Sequence, residues 1–243
     1  MDSSEFLVIT GPIASGKSTI GFRVAELSDY EFFQEDVDSS PVDRDVLARY
    51  YRAVELFNNL KDRTDPISRK AVEEARRDVY DTQVHFIRKR STILKRIAAE
   101  GIRAVIERHP WDDIRIFSRR NLNYGLLTAG QFDSLTELVR TEIEGIADPR
   151  VMVFLSAAPS NLRARIARRG REQERELLSP DNPYLEEIAD LYEDWYADWT
   201  GRKFRVQTDG LSEEEVVSRI AQEFRNRGIV LTRPGRHLQP RFS

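Results

Sequence analysis

The sequence predicts an α/β protein built on a doubly wound parallel sheet. Short β-branched or aromatic runs alternate with long helical patterns, most of these runs are continuously apolar, and the first of them leads into a glycine-rich loop followed by a helical pattern. Continuous apolar runs are what parallel strands covered on both faces require, and the alternation is that of crossover connections. At 243 residues the chain can bury a full core and is read as one domain. Charged residues make up 33%, but acids and bases nearly cancel to a formal net charge of -3, so no broad basic field points to nucleic acid. The absence of cysteine excludes disulfides, thiolate chemistry and cysteine-ligated zinc. No stretch approaches the ~20 apolar residues of a membrane span. The opening MDSSEF is acidic, unlike a signal or transit peptide, and a cytoplasmic chain with no membrane partner is expected.

Five strands are predicted, at Phe6–Thr10, Tyr30–Gln34, Ile102–Ile106, Val151–Ser156 and Phe204–Gln207. The first ends in GPIASGKST, which matches G-x-x-x-x-G-K-[ST] at Gly11, Gly16, Lys17 and Ser18 and precedes the helical pattern IGFRVAEL. In that context the motif is a phosphate loop. Glycines let backbone N–H groups wrap a phosphate, the lysine reaches the terminal phosphates, and the serine hydroxyl can ligate Mg²⁺.

The second strand ends FFQEDVD, so Glu35 lies on the same rim of the sheet as the phosphate loop and is placed to accept a hydroxyl proton, with Asp36 and Asp38 as alternatives. Residues 68–100 form one long helical pattern whose apolar stripe runs through Val72, Ala75, Val79, Phe86, Ile93 and Ile97. Gln83 and Arg90 interrupt that stripe, two turns or about 10 Å apart, and a buried amide and guanidinium need partners. The third strand runs into VIERHPWDDIRIF, where Asp113 supplies an acid that can pair with Arg90. The fourth, VMVFLSAAP, has no acid at its end, which leaves Glu107 as the carboxylate to contact a metal directly or through water. RARIARRGREQE then offers a cluster of arginines. Beyond Ile229 the tail IVLTRPGRHLQPRFS, with two prolines and several bases, reads as extended or loosely packed.

Taken together these residues resemble the deoxynucleoside kinases, the family of the deoxycytidine, deoxyguanosine, deoxyadenosine and mitochondrial thymidine kinases. GPIASGKST resembles the family's phosphate loop, FFQED its base-bearing strand end, QVHFIRKR its base-reading helix, and ERHPWDDIRIF its Glu-Arg-Ser motif with the following helix. RARIARRGREQE resembles its arginine-rich lid, and NPYLEEIADLYEDWY the helix after it. The resemblance implies a P-loop kinase fold with a five-stranded parallel sheet flanked by helices. It would span residues 1–228, with a lid at about 163–180 and a basic tail at 229–243.

It also implies roles. Gly11, Ala14, Ser15, Gly16, Lys17, Ser18 and Thr19 would hold ATP phosphates with Arg165, Arg169 and Arg171 of the lid, and Ser18 and Glu107 would attend Mg²⁺. Glu35 would be the general base for the nucleoside 5'-hydroxyl, and Arg108 would orient the base and that hydroxyl. Gln83 would pair with the nucleobase, Phe117 pack on it, Arg90 and Asp113 form the charged pair beyond it, and Glu174 contact the 3'-hydroxyl. An ionised Asp113 accepts from an exocyclic amine but repels the O4 of thymine, so deoxyadenosine, deoxycytidine or deoxyguanosine is expected over thymidine. Asp112 is expected to face water. A homodimer is implied as well.

The chain departs from the family pattern at His109, where serine usually follows Glu-Arg, at Ser40 in place of an aromatic, and near Val72 in place of a tyrosine. The alternatives are a nucleoside monophosphate kinase, which would leave Glu35 facing an anion, a non-catalytic nucleotide-binding relative, and a P-loop hydrolase or switch protein.

Overall fold

The computed structural model describes residues 5–35, 40–231 and 241–242. Its strands are β1 (Glu5–Thr10), β2 (Glu31–Gln34), β3 (Arg103–Glu107), β4 (Val151–Ser156), β5 (Lys203–Gln207) and the two-residue β6 (Arg241–Phe242). They form one sheet in the order β5-β4-β1-β3-β2-β6, parallel at every pairing. The five predicted strands all form, each end within one residue of its expected place. β6 adds a short edge beside β2 that apolar patterning did not reveal, because two residues carry no period.

The helices are α1 (Lys17–Glu26), α2 (Pro41–Leu60), α3 (Pro66–Glu100), α4 (Pro110–Asp112), α5 (Arg119–Asn123), α6 (Ala129–Glu142), α7 (Pro159–Arg169), α8 (Tyr184–Asp198) and α9 (Glu213–Asn226). A π-helical stretch, Asp113–Ser118, joins α4 to α5, and a 3-10 stretch, Glu172–Leu178, follows α7. α3 starts two residues before the helical pattern. Asp65 accepts from the Ser68 N–H (2.9 Å) and hydroxyl (2.6 Å), and Pro66 takes the first turn, where its missing N–H costs nothing.

The chain divides into two compact units. One is formed by Met1–Glu35, Lys95–His109 and Ile146–Ser243, the other by Asp36–Leu94 and Pro110–Gly145. In the first, alternate strand residues point to one face of the sheet. Leu7, Ile9, Phe32, Val105, Val153, Leu155, Phe204 and Val206 form a core there with Ile20 and Val24 of α1 and Val216, Ile220 and Phe224 of α9. Ile229, at the start of the tail, is fully buried in this core and Leu231 packs against it. On the other face Phe154 meets Trp195 and Tyr196 of α8 edge-on. Both faces are thus covered, which is why the strands read as unbroken apolar runs.

His109 belongs to this second face. Its ring stacks on Phe6 (centroids 6.3 Å apart) and lies 6.1 Å from Trp199. Burial lowers its pKa from 6.5 to about 3, so the imidazole is neutral in the folded chain. An unfolded chain protonates this residue near its ordinary pKa. Between those two values the unfolded state therefore binds more protons, and stability falls as pH falls, by up to ~1.4 kcal/mol per pH unit. Between about pH 6.5 and about pH 4.5 the wild type should lose roughly 2 to 3 kcal/mol more than His109→Phe. Urea titrations of both proteins at the two pH values check this, and equal losses would show that His109 does not titrate on unfolding.

The second unit has its own core, in which Ala53 and Phe57 of α2 and Val72, Ala75, Val79 and Ile87 of α3 pack with Ile114, Leu126, Leu127, Phe132, Leu135 and Val139. The α3 stripe is as predicted through Phe86, but Leu94 is buried where Ile93 was expected and Ile93 is only partly covered. Asp112 corrects the reading more sharply. It was expected to face water and is instead fully buried.

Candidate functional site

The phosphate loop follows β1 at the C-terminal edge of the sheet, where β1 lies between β4 and β3. Gly11 has φ 149°, and a Cβ there would sit 2.3 Å from the Leu155 carbonyl oxygen on β4. No side chain fits such an approach. Gly16 (φ 95°) caps α1 with no side chain occupying the first-turn amides, which leaves them directed at the loop, as anion binding requires. Lys17 is buried and its Nζ donates to the Pro12 carbonyl at 2.8 Å, closing the loop on itself. The buried Ser15 hydroxyl has no protein hydrogen-bond partner. Ser18 and Thr19 are exposed.

β3 places the next residues. Glu107 lies opposite Ile9 in the β1–β3 register, and the Arg108 N–H donates to the Ile9 carbonyl at 3.1 Å. Arg108 then turns into the left-handed region (φ 59°), a conformation that costs a non-glycine residue of order 1–3 kcal/mol and tends to mark functional sites. From there its Nη1 donates to Glu35 Oε2 at 2.7 Å, while the Glu35 N–H donates to Glu107 Oε2 at 2.9 Å. Glu107 in turn lies beside the Ser18 hydroxyl and Lys17. Burial raises the Glu107 pKa; Ser18 and Lys17 oppose that shift and the nearby Glu35 carboxylate adds to it. Arg108, Glu35 and Glu107 are therefore one connected chain of polar contacts beside the phosphate loop.

This arrangement suits a magnesium ion held by one carboxylate and nucleotide phosphates. Glu107 Oε1 is buried with no protein hydrogen-bond partner, beside the Ser18 hydroxyl. Among the described residues no group of three or more His, Cys, Asp or Glu could cage an ion. Magnesium does not need one, since it keeps several waters and leans on substrate phosphates.

The arginine-rich segment is anchored in the same unit. Arg165 donates to Thr208 Oγ1 and to the Thr208 carbonyl, each at 2.9 Å, and to the Ala14 carbonyl of the phosphate loop at 3.4 Å. Asp209 accepts from the Ala158 N–H and from Asn161 Nδ2, both at 2.8 Å, and so caps α7 from the end of β5. Arg169 and Arg171 both pair with the buried Glu174.

In the second unit α3 presents Gln83 and Arg90, both buried as their places on the apolar stripe require. Arg90 Nη1 donates to Asp113 Oδ1, and the guanidinium stands 5.3 Å from the centre of the Phe86 ring. The expected pair between Arg90 and Asp113 is present. The Ser118 hydroxyl donates to Gln83 Oε1 at 3.4 Å. Phe117 lies beside it in sequence and is partly buried. Asp36 and Asp38, the alternatives to Glu35, lie outside the described residues, as does the greater part of the tail.

Four polar residues escaped sequence reasoning: Asp43, Ser118, Thr208 and Asp209. Asp43, in the first turn of α2, is buried and receives His85 Nε2 at 2.6 Å and Lys89 Nζ from α3. Burial pushes its pKa up, but these two hydrogen bonds, the Lys89 charge and the bond to Ser40 together hold it below the ordinary carboxylate value. Only its place three residues after the capping Ser40 was a signal, and that signal speaks of a helix start, not of partners.

A model of the deoxynucleoside kinase family matches residues 7–227. The chain is 23% identical over 226 residues to a deoxyadenosine/deoxycytidine kinase of Bacillus subtilis, covering 90% of this chain and 91% of that protein. It is 21% identical over 238 residues to a deoxyadenosine kinase of Lactobacillus acidophilus, covering 92% and 98%. Among solved structures, deoxyadenosine kinase from M. mycoides with dCMP and dCDP bound superposes with a TM-score of 0.68 at 20% identity, over 91% of this chain and 99% of that one. The same protein with dATP bound gives 0.67. At this identity the likeness establishes the fold: a parallel sheet of P-loop kinase type flanked by helices.

Proposed function

The chain belongs to the deoxynucleoside kinase family and is a phosphotransferase, and on that premise we propose that it transfers the γ-phosphoryl of ATP to the 5'-hydroxyl of a deoxynucleoside, with Glu35 as general base. One observation carries the reading: the connected contacts Arg108–Glu35–Glu107, with Glu107 beside Ser18 and Lys17, which bring a candidate proton acceptor to the edge of the phosphate loop. A nucleotide-binding scaffold has no need of such a link.

In this reading the backbone amides of the loop and Lys17 take the donor phosphates. Arg108 keeps the Glu35 carboxylate oriented so that one oxygen can take the 5'-hydroxyl proton as the oxygen attacks phosphorus. Ser18 and Glu107 would hold Mg²⁺, which supplies charge neutralisation at the transferring phosphoryl group. Arg165, which contacts the phosphate loop at Ala14, and Arg169 and Arg171 near it suit a transition state whose charge spreads over phosphoryl oxygens. Glu174 is assigned to the 3'-hydroxyl. Gln83 pairs with the base, Phe117 packs on it, and Arg90 with Asp113 selects an amino-bearing base over thymine. The relatives named for deoxyadenosine and deoxycytidine fit that selection.

The test is phosphorylation of the four natural deoxynucleosides at matched concentrations with ATP and Mg²⁺. Deoxyadenosine, deoxycytidine or deoxyguanosine should be the best acceptor. Thymidine should be about 100-fold or more poorer in kcat/KM, the size expected when a buried polar group is left facing its own kind. Thymidine as the clear favourite would overturn the base reading, and ATP consumption indifferent to any nucleoside would overturn the acceptor.

A further inference from the structure

The segment after β3 changes helical period where it meets the buried polar residues of α3. From Asp113 to Ser118 it is π-helical, and at its end the Arg119 N–H bonds the Ile114 carbonyl five residues back. The two ends of that stretch contact the two residues that interrupt the α3 stripe: Asp113 receives Arg90, and Ser118 donates to Gln83. In an α-helix, residues five apart are about 140° out of line. In a π-helix, whose turn holds more than four residues, they come to within about 50° of one another and so share a side. The π turn is thus what allows both side chains to face α3 together. Ser118 and Gln83 are both buried, at 0% and 5% exposure, so the amide cannot reorient by exchanging this contact for bulk water.

We propose that Ser118 is a positioning residue for base selection: it acts through Gln83, holding the plane of the amide so that both its oxygen and its nitrogen meet the base edge. This rests on the reading of Gln83 as the base-pairing amide. A glutamine carboxamide turns about a soft terminal torsion, and two hydrogen bonds to a base are made together only when that torsion is right. A hydroxyl fixed on the rigid π turn supplies the restraint before the nucleoside arrives, which is the general route by which preorganisation raises affinity.

The experiment compares deoxyadenosine with purine 2'-deoxyriboside, which lacks the 6-amino group, in the full-length wild type, Ser118→Ala, Gln83→Ala and the double variant. Removing the hydroxyl should raise KM for deoxyadenosine with kcat held within about 2-fold. The kcat/KM ratio between the two nucleosides should shrink by about 5-fold, the worth of one hydrogen bond. In the Gln83→Ala background the same serine change should add nothing, because the group it acts through is gone. An unchanged ratio in Ser118→Ala, or a serine effect that persists without Gln83, would overturn the inference. A wild type that phosphorylates no deoxynucleoside would instead remove the base reading and the inference with it. If deoxycytidine is the better acceptor, it and its analogue lacking the 4-amino group serve as the pair.

Discussion

Glu35→Gln is expected to lower kcat by about 10³-fold while deoxynucleoside binding, measured by calorimetry, stays within a few-fold of wild type. Glutamine has the same length and keeps an oxygen for Arg108, which donates to Glu35 at 2.7 Å. It cannot take a proton at neutral pH. The backbone contact from the Glu35 N–H to Glu107 is untouched by the substitution, so the placement beside the phosphate loop survives and the loss isolates the proton transfer. General bases of this kind contribute roughly 10² to 10⁴ in rate. Turnover within a few-fold of wild type would remove Glu35 as the base. Loss of nucleoside binding alongside turnover would show that the carboxylate holds the acceptor instead.

The second large effect is on stability. Arg90→Met should cost about 3 to 5 kcal/mol, because it takes the guanidinium from a carboxylate that has no ready access to water. Arg90 and Asp113 are 5% and 2% exposed, and the ion pair joins α3 to the π turn. Adding Asp113→Asn to Arg90→Met should restore most of that loss, since a buried pair replaced as a unit is often close to neutral. Urea unfolding of the two variants measures both numbers. The double variant should also narrow the discrimination against thymidine, as the carboxylate proposed to repel O4 is gone. Recovery of stability without any change in base preference would assign the pair to the fold alone.

What could be read in advance divides by the range of the interaction. Gly11, Gly16, Lys17 and Ser18 are neighbours in sequence, and their chemistry depends on one strand, one turn and one helix start, all of which patterning reveals. Glu35 and Glu107 were legible because parallel strands put their C-terminal ends on one rim, so an acid at a strand end is already placed, whereas Arg108 followed only from the family resemblance. Gln83 and Arg90 stood out as interruptions of an apolar period. Asp113 was legible as a partner for Arg90 by charge alone.

The remaining site residues depend on packing between elements distant in sequence. His109 departs from the family's serine and carries no local sign that Phe6 and Trp199 enclose it. Asp43 reads as an ordinary first-turn acid, and only the approach of α2 to α3 gives it His85 and Lys89. Ser118 was hidden by a change of helical period, since an α-helical projection assigns it to another direction than the π turn does, and the burial of Asp112 depends on packing that no local pattern reveals.

By itself the sequence determined the parallel sheet, the phosphate loop and the identity of the charged residues at the strand ends, because these follow from local periods of two and 3.6 and from strand polarity. Only the tertiary structure decided which carboxylate meets which cation, that His109 is neutral, and that Ser118 faces Gln83. Those outcomes turn on side chains brought within a few ångströms by packing, where burial makes an unmatched polar group costly and a matched one specific.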